Sequence, residues 1–296
     1  MLRGIAGQGG SDVWVTGEDG SVLHYDGTSW TGRHSRTSES LNGLWQGPKS
    51  TAYAVGRSGT VLYYDGAVWS MRDSGTTAHL NAVWGSGPED VYAVGNEGII
   101  RHYDGRAWSG MRSGTSDDLA AVWGSGPGDI WAAGQNGQLL HYDGKLWSSS
   151  AGDLQWGRGA PTLNQLWGSG PADVWAVGEL WSSAGNTSTG GGTGTLLHYD
   201  GSKWTLVPVK ARGSLDGITG TGPKDVWVVG GLRNVWDPKK YFYTEAVDPA
   251  PLLHFDGRSW SSLPSGVTQE GLERIWVGDG QLWAIGHRGG IYKRKP

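Results

Sequence analysis

The chain has 296 residues, a formal net charge of −4 and only 18% charged residues, so it lacks the basic face that a nucleic-acid-binding surface requires. It contains no cysteine, which excludes disulfides, thiol chemistry and cysteine-ligated metals, and it has no apolar run long enough to span a bilayer. The abundance of Gly (53 residues) and Trp (19 residues) indicates many tight turns and repeated packing of large flat side chains.

One repeat unit organises the chain from its first residues. Its pattern is clearest in the third unit, where three apolar segments and the start of a fourth occur at Leu80–Trp84, Val91–Val94, Ile99–Tyr103 and Trp108. Turn residues end the segments: Gly-Ser-Gly-Pro the first, Gly95 the second and Asp-Gly the third. The unit recurs from Leu2, Leu41, Leu80, Leu119, Leu163, Leu215 and Leu272. The spacing is 39 residues three times and then 44, 52 and 57, because the later units carry insertions.

A period near forty with four short strands per unit predicts a β-propeller blade, since one sheet buries its apolar faces only against neighbouring sheets. We therefore predict an all-β fold, a seven-bladed β-propeller of four-stranded antiparallel blades, forming one domain over residues 1–296. The seventh unit stops at its third strand, so the last blade is predicted to lack its fourth strand, and the ring closes by packing between blades. The basic residues from Lys293 onward either blunt an exposed edge or mark a chain cut from a longer protein. No signal peptide is predicted, because Leu2 already belongs to a repeat.

Polar residues recur at fixed positions of the unit. Asp-Gly, a hairpin turn signal, is followed three residues later by Trp30, Trp69, Trp108, Trp147, Trp204 and Trp260. An aspartate precedes the second strand at Asp12, Asp90, Asp129, Asp173 and Asp225, and we interpret it as a turn cap. A histidine in the third strand, at positions 24, 102, 141, 198 and 254, is interpreted as packing between sheets and bonding the neighbouring strand, so no metal site is predicted.

The motif WGSGPEDVYAVGNEGIIRHYDGRAW resembles the repeat of bacterial BNR-type and Ycf48-like β-propellers, and of myxobacterial propellers with WGSGPxDVWAVG repeats. The resemblance covers essentially the whole chain and implies a fold rather than an activity, since such propellers include lectins, assembly factors, hydrolases and scaffolds. The composition also resembles that of exported bacterial propellers. The chain departs from the sialidase Asp box, because Asp and Gly are adjacent here and no arginine cluster or tyrosine nucleophile stands out.

Sixteen of the nineteen tryptophans occupy repeated positions and are explained by packing between blades. The set that ends the first strand has a second interpretation as a ring at one channel mouth that stacks on sugars or bases: Trp45, Trp84, Trp123, Trp167 and Trp276. The other three, Trp156, Trp181 and Trp236, lie in insertions of units four to six. Because connections between strands two and three and connections between blades emerge on one face, these insertions are predicted to lie together. Loops on a rigid scaffold often carry function.

The predicted binding residues are therefore aromatic and basic residues of these inserts: Trp156, Trp181, Arg233, Trp236, Tyr241 and Tyr243. Such residues suit a glycan or a protein partner, and a packed loop cluster that only caps the ring is the alternative. The sequence favours a non-catalytic binding propeller without cofactors. One other interpretation is a polysaccharide hydrolase or lyase that uses two of the acids Glu179, Asp237, Glu245 and Asp248. A further one is a scaffold that docks another chain on the incomplete seventh blade.

Overall fold

The computed structural model describes residues 1–152, 154, 156, 159–180, 193–209, 211, 213–231, 235–237, 242–244, 250–267 and 270–295, with the backbone alone for 235–237 and 242–244. These residues form β-strands and short 3₁₀ turns, and no α-helix occurs among them. The strands make seven blades, which confirms the predicted all-β propeller.

The first three blades have four strands each. Blade one holds β1 to β4, which are Leu2–Gly7, Val13–Gly17, Val22–Tyr25 and Trp30–Gly32. Blade two holds β5 to β8, which are Leu41–Gln46, Ala52–Gly56, Val61–Tyr64 and Trp69–Arg72. Blade three holds β9 to β12, which are Leu80–Gly87, Asp90–Gly95, Ile100–Tyr103 and Trp108–Met111.

The remaining blades follow the same plan until the last. Blade four holds β13 to β16, which are Leu119–Gly126, Asp129–Gly134, Leu139–Tyr142 and Trp147–Ser149. Blade five holds β17 to β20, which are Thr162–Gly170, Asp173–Leu180, Thr193–Tyr199 and Trp204–Leu206. Blade six holds β21, β22, β25 and β26, which are Ser214–Gly222, Asp225–Gly231, Pro251–Phe255 and Trp260–Pro264. Its insert contains a two-stranded sheet, β23 and β24, at Val235–Asp237 and Phe242–Thr244. Blade seven holds only β27 to β29, which are Leu272–Gly278, Gln281–Gly286 and Ile291–Arg294.

The core lies between adjacent blades. The second strand of each blade is apolar on both faces because both are covered, and Val91 to Gly95 are all buried. One such core joins Tyr53 and Val55 of blade two to Leu80 and Trp108 of blade three. The repeated apolar positions therefore stabilise the contact between sheets.

The hairpins are longer at the first turn than the sequence predicts. Strand β9 continues through the Gly-Ser-Gly segment to Gly87, which pairs with Asp90, so the turn itself is Pro88-Glu89. A bulge between Leu80 and Ala82 interrupts the register at the start of the same strand. The Asp-Gly turns form as predicted, with Gly105 at φ 87°, a left-handed conformation that glycine adopts without strain.

The ring closes between blade seven and blade one through side chains. The ring of Trp30 meets the ring of Trp283 edge-on with centroids 5.6 Å apart, and the Gly10 N–H donates to Asp279 Oδ2 at 2.9 Å. No strand is shared across this junction among the described residues, in agreement with the predicted closure by packing.

Candidate functional site

The connections between strands emerge on two opposite faces. In blades one to four a 3₁₀ turn joins the second strand to the third, at Glu18–Gly20, Arg57–Gly59, Asn96–Gly98 and Gln135–Gly137. Backbone bonds tie these turns to the segments between blades: Asn96 N–H donates to the His79 carbonyl at 2.9 Å, and Gly137 N–H to the Pro161 carbonyl at 2.7 Å. Both kinds of connection thus share one face. We call it the insertion face, because residues 181–192 and 232–250 replace these turns in blades five and six.

The predicted binding residues are distributed unevenly over the described structure. Trp156 lies half-buried against the core between blades four and five, and its ring fills the space beside Gly137, where a methyl group would stand 2.7 Å from the indole. Trp236 and Tyr243 are paired residues of the β23–β24 hairpin. Trp181, Arg233 and Tyr241 lie outside the described residues.

A central channel runs between the inner strands of the blades. It is lined mainly by the second to fourth residues of the inner strands of blades one to five, with Arg274 of blade seven. The second residue is polar in six of the seven units: Arg3, Asn42, Asn81, Ala120, Asn164, Asp216 and Glu273. Because each inner strand starts from a connection between blades, this ring of residues lies toward the insertion face.

The asparagines of this ring tie neighbouring blades together. Asn42 Nδ2 donates to the Leu80 carbonyl at 3.0 Å, and Asn81 Nδ2 to the Leu119 carbonyl at 2.9 Å. The bulge at the start of each inner strand turns this carbonyl away from its own sheet and toward the preceding blade. Ala120 has no amide group, so it cannot make the equivalent bond between blades four and five.

Charged groups concentrate where the channel meets blades six and seven. Asp216 is buried and accepts bonds from Ser214 Oγ at 2.6 Å and Asn164 Nδ2 at 3.0 Å. His287 bridges two acids, with Nε2 at 3.8 Å from Asp216 Oδ2 and Nδ1 at 3.7 Å from Glu273 Oε2. Closely spaced acidic and imidazole groups are therefore packed between blades six and seven.

Arginines complete this charged region. Arg274 Nη1 donates to the Asp216 carbonyl at 3.0 Å and to the Glu273 carbonyl at 2.9 Å. Burial alone would raise the pKa of Glu273, but the nearby His287 imidazole and the positive charges of Arg274 and Arg3 hold that pKa below its ordinary value. These neighbours therefore favour the ionised form of Glu273.

The sequence analysis missed the channel ring. The available signal was the second residue of each unit, which changes among Arg, Asn, Ala, Asp and Glu while the leucine before it is constant. A position that varies among polar residues inside a repeated apolar strand points to a surface with its own chemistry rather than to packing.

The repeated aspartates and histidines form side-chain pairs near the opposite face. In blade three, His102 Nε2 lies 2.7 Å from Asp90 Oδ1, Ser86 Oγ donates to Asp90, and the imidazole stacks on Tyr92 at 4.2 Å. The same pairs occur at Asp12–His24, Asp129–His141, Asp173–His198 and Asp225–His254. The aspartate thus binds side chains rather than the amides of its own turn, and the histidine bonds within its own blade.

Two blades show that this pair acts as a unit. In blade two the positions of Asp and His hold Thr51 and Tyr63, and in blade seven they hold Gln281 and Lys293, so both partners are replaced together. Among the described residues, no cluster of three or more His, Asp or Glu side chains is arranged to hold a metal ion. The bond to the aspartate and the stacking on the second-strand aromatic residue give these histidines a role in packing.

The first-strand tryptophans are half-buried packing residues. Trp84 lies over Gly124 of the next blade, where a methyl group would stand 2.7 Å from the indole, and Trp45 lies over Gly85 in the same way. The five tryptophans lie in this way over glycines of the next blade, and the contact explains why those positions are glycine: Gly7, Gly85, Gly124, Gly168 and Gly220.

These features define the chain as a seven-bladed propeller with one elaborated face. No protein-family model matches the chain, and no curated protein matches it in sequence. Among the described residues no helix is both long and apolar enough to cross a membrane.

Solved structures share the fold. "YCF48 bound to D1 peptide" has a TM-score of 0.69 and 16% identity, covering 100% of this chain and 91% of that one. "YCF48 from Cyanidioschyzon merolae" has a TM-score of 0.70 and 16% identity, covering 100% of this chain and 95% of that one. The WD40 propeller domain of Doa1 has a TM-score of 0.68 and 10% identity, covering 99% of this chain and 92% of that one. At these identities the likeness establishes the β-propeller fold.

Proposed function

We propose that the protein is a non-catalytic propeller that binds a segment of another protein on its insertion face. The observation that carries this proposal is the coincidence of two features on that face. Three insertions of adjacent blades emerge there, and so does the polar ring of the channel. Neither feature is required by the repeat, whose other connections are short and regular.

The two features offer complementary contacts to an extended peptide. The insert residues Trp156, Trp181, Arg233, Trp236, Tyr241 and Tyr243 would supply aromatic and cationic contacts, which commonly dominate protein interfaces. The channel would supply polar contacts from side chains that line it, among them Asn42 and Arg274. A propeller of the same fold, YCF48, has been solved with a D1 peptide, which supports a peptide as the ligand class.

A glycan is the competing ligand, because aromatic residues in the inserts also suit sugar rings and the repeat resembles BNR-type propellers. An enzyme would need two acids across a cleft on the same face. Of the acids considered for that role, Glu179 is buried in β18, Asp237 is described by its backbone alone, and Glu245 and Asp248 lie outside the described residues.

The proposal is tested by selecting ligands without assuming their identity. A phage-displayed peptide library and a glycan array are screened against the intact protein, and the dissociation constant of each selected ligand is measured. We expect peptides to be selected, and Trp181→Ala and Trp236→Ala to weaken their binding at least about tenfold, or about 1.4 kcal/mol. The melting temperature should change little, because on this proposal both indoles serve ligand binding and not packing between blades.

The matched controls are Val68→Ala and Leu146→Ala. Both side chains are exposed beside Asp-Gly turns on the face opposite the inserts. They should leave affinity unchanged. Selection of glycans alone, or peptide affinities that survive both tryptophan substitutions, would contradict the proposal.

A further inference from the structure

The tryptophans of the first strands differ from most other repeated tryptophans in the state of the indole N–H. Several of the others have a buried Nε1 without a partner: Trp69, Trp108, Trp131, Trp147, Trp204, Trp260 and Trp283. Three more donate to an aspartate: Trp14, Trp175 and Trp227. In the part of the chain that the structure describes, the first-strand Nε1 groups are neither buried nor bonded to the protein: Trp45, Trp84, Trp123, Trp167 and Trp276. These N–H groups are therefore open to a ligand.

Packing against the next blade holds each of these indoles in place. The atoms of Trp84 that approach Gly124 are Cη2 and Cζ3 of the six-membered ring, so the N–H lies away from this contact. Where the tryptophan is replaced, the glycine of the next blade is replaced as well. Blade one has Ala6, and blade two then has Gln46 at the glycine position. Blade six has Thr219, and blade seven has Val277. The indole and the glycine thus form one unit that presents the N–H.

A carboxylate and a hydroxyl group lie on the same side of the sheet in blade three. Trp84 is paired with Tyr92, which is paired with His102, so their side chains share one face of the sheet. His102 stacks on Tyr92 and bonds Asp90 Oδ1 at 2.7 Å. The exposed Ser86 donates to the other carboxylate oxygen.

Three consecutive blades carry this set in full, and we call the sets the Trp-Ser-Asp sites. They are Trp84-Ser86-Asp90, Trp123-Ser125-Asp129 and Trp167-Ser169-Asp173. Their carboxylates are 21–27% exposed, so a ligand can reach them. Every other blade lacks at least one member, since blades one and six lack the tryptophan and blades two and seven lack the serine and the aspartate. The complete sites are therefore confined to blades three, four and five.

The chemistry of these sites matches the hydroxyl groups of a neutral sugar. An indole N–H only donates, a carboxylate only accepts, and a serine hydroxyl does both, whereas each sugar hydroxyl can donate and accept. The residue before each aspartate is Glu89, Gly128 or Ala172, so no adjacent cation balances the carboxylate. An anionic ligand would be repelled.

We propose that the three Trp-Ser-Asp sites bind neutral sugar units of one polysaccharide. The tryptophans are 39 and 44 residues apart and occupy equivalent positions of adjacent blades, which suits a ligand that itself repeats a unit. A peptide would present different side chains to identical sites. The sites lie near the turn between the first and second strands, on the face opposite the inserts, so this binding is independent of the proposed peptide binding.

The first test observes the indole N–H groups directly in the intact protein. The probes are linear hexasaccharides of glucose, mannose, galactose, xylose and N-acetylglucosamine, with hexagalacturonate as the anionic control. Two-dimensional ¹⁵N–¹H spectra are recorded during titration, and single Trp→Phe variants assign the signals. At least one neutral hexasaccharide should shift the N–H signals of Trp84, Trp123 and Trp167, while that of the buried Trp108 stays in place. Hexagalacturonate should shift none of the three.

The second test uses side chains whose replacement leaves the core intact. The combined variant Ser86→Ala, Ser125→Ala and Ser169→Ala removes only exposed hydroxyl groups. It should bind the active hexasaccharide at least about fivefold more weakly in calorimetry, because sugar hydroxyls lose a hydrogen-bond partner. The control is Ser116→Ala, an exposed serine in the connection between blades three and four on the insertion face, and it should leave the affinity unchanged. Trp181→Ala and Trp236→Ala should also leave it unchanged, which separates this site from the insertion face.

Four results would overturn the proposal. They are a panel in which no neutral hexasaccharide shifts the three indole signals, an affinity that survives the combined serine variant, equal binding of hexagalacturonate, and loss of sugar binding in Trp181→Ala or Trp236→Ala. A peptide selected on the intact protein that shifts the same three signals would assign the sites to a protein partner and would also overturn it.

Discussion

Replacement of Trp108 tests whether the contact between blades is the main source of stability. Its side chain is 8% exposed and packs between blades two and three, edge-on to Tyr53 at 6.1 Å and beside Tyr103 at 5.6 Å. Its indole Nε1 is buried and makes no hydrogen bond. Trp108→Ala therefore removes packing without removing a polar bond, and we expect a loss of about 3–4 kcal/mol in unfolding free energy.

Trp108→Phe separates packing from polarity at the same site. Phenylalanine keeps much of the ring contact and removes an N–H whose unpaired burial costs about 1–3 kcal/mol. The net loss should then be below about 1.5 kcal/mol, the usual limit for a swap that nearly conserves volume.

Urea unfolding followed by circular dichroism gives both values. Thermal melting should fall by roughly 10 °C for Trp108→Ala, at about 2–4 °C per kcal/mol. Val68→Ala, at a side chain that is 52% exposed, serves as the near-neutral control. If the Phe variant lost as much stability as the Ala variant, the indole N–H would have a partner that the packing argument overlooks, and the reasoning would be refuted.

Three further predictions concern the repeated polar and glycine positions. Burial alone would raise the pKa of Asp173, but hydrogen bonds from His198, Ser169 and Trp175 hold it below its ordinary value. Its stabilising contribution is therefore present above the unfolded pKa of about 3.9 and is lost as the pH falls through the lower folded pKa. Asp173→Asn should flatten the drop in melting temperature on acidification, and an unchanged acid profile would contradict this. Asn81→Ala should lower the free energy of unfolding in urea by about 1 kcal/mol, because the Leu119 carbonyl loses its donor. Ala120→Asn should instead add a hydrogen bond to the next blade. An Asn81→Ala variant that is more stable than the unchanged protein would refute the role of this bond between blades. Gly95→Ala places a methyl group 1.9 Å from the His79 carbonyl oxygen and should lower the free energy of unfolding by about 2 kcal/mol or more. Gly32→Ala is the control, because its methyl group would meet nothing within 4 Å. Equal melting temperatures for the two variants would show that the close approach is unimportant.

The fold could be predicted from the sequence because its signals repeat. Each Asp-Gly turn, each tryptophan three residues later and each buried second strand reports the same local structure, so seven weak signals reinforce one another. The incomplete last blade followed from counting strands after Leu272. Strand ends were predicted less well, because Gly-Ser-Gly continues the pairing to Gly87 although glycine usually ends a strand.

The candidate site was predicted only in part, for a physical reason. The face that carries the insertions follows from strand order, which is local information. Which side chains meet across the channel depends on closing the ring, and this brings Arg3 near Glu273 although they are far apart in the sequence. The coupling of Asp90 to His102 was also missed, because each residue suggested a simpler local role when considered alone.

The pairing of strands that are close in sequence has a consequence for how the protein folds during synthesis. Every backbone strand pair among the described residues joins strands that are close in sequence, and the widest separation is the insert within blade six. A nascent chain can therefore complete the hydrogen bonds of each sheet soon after it leaves the ribosome, without waiting for distant segments. The junction between blades one and seven must wait for nearly the whole polypeptide, because it joins Trp30 to Trp283 and Gly10 to Asp279. We therefore expect the fold to be completed by packing of side chains and not by pairing of strands.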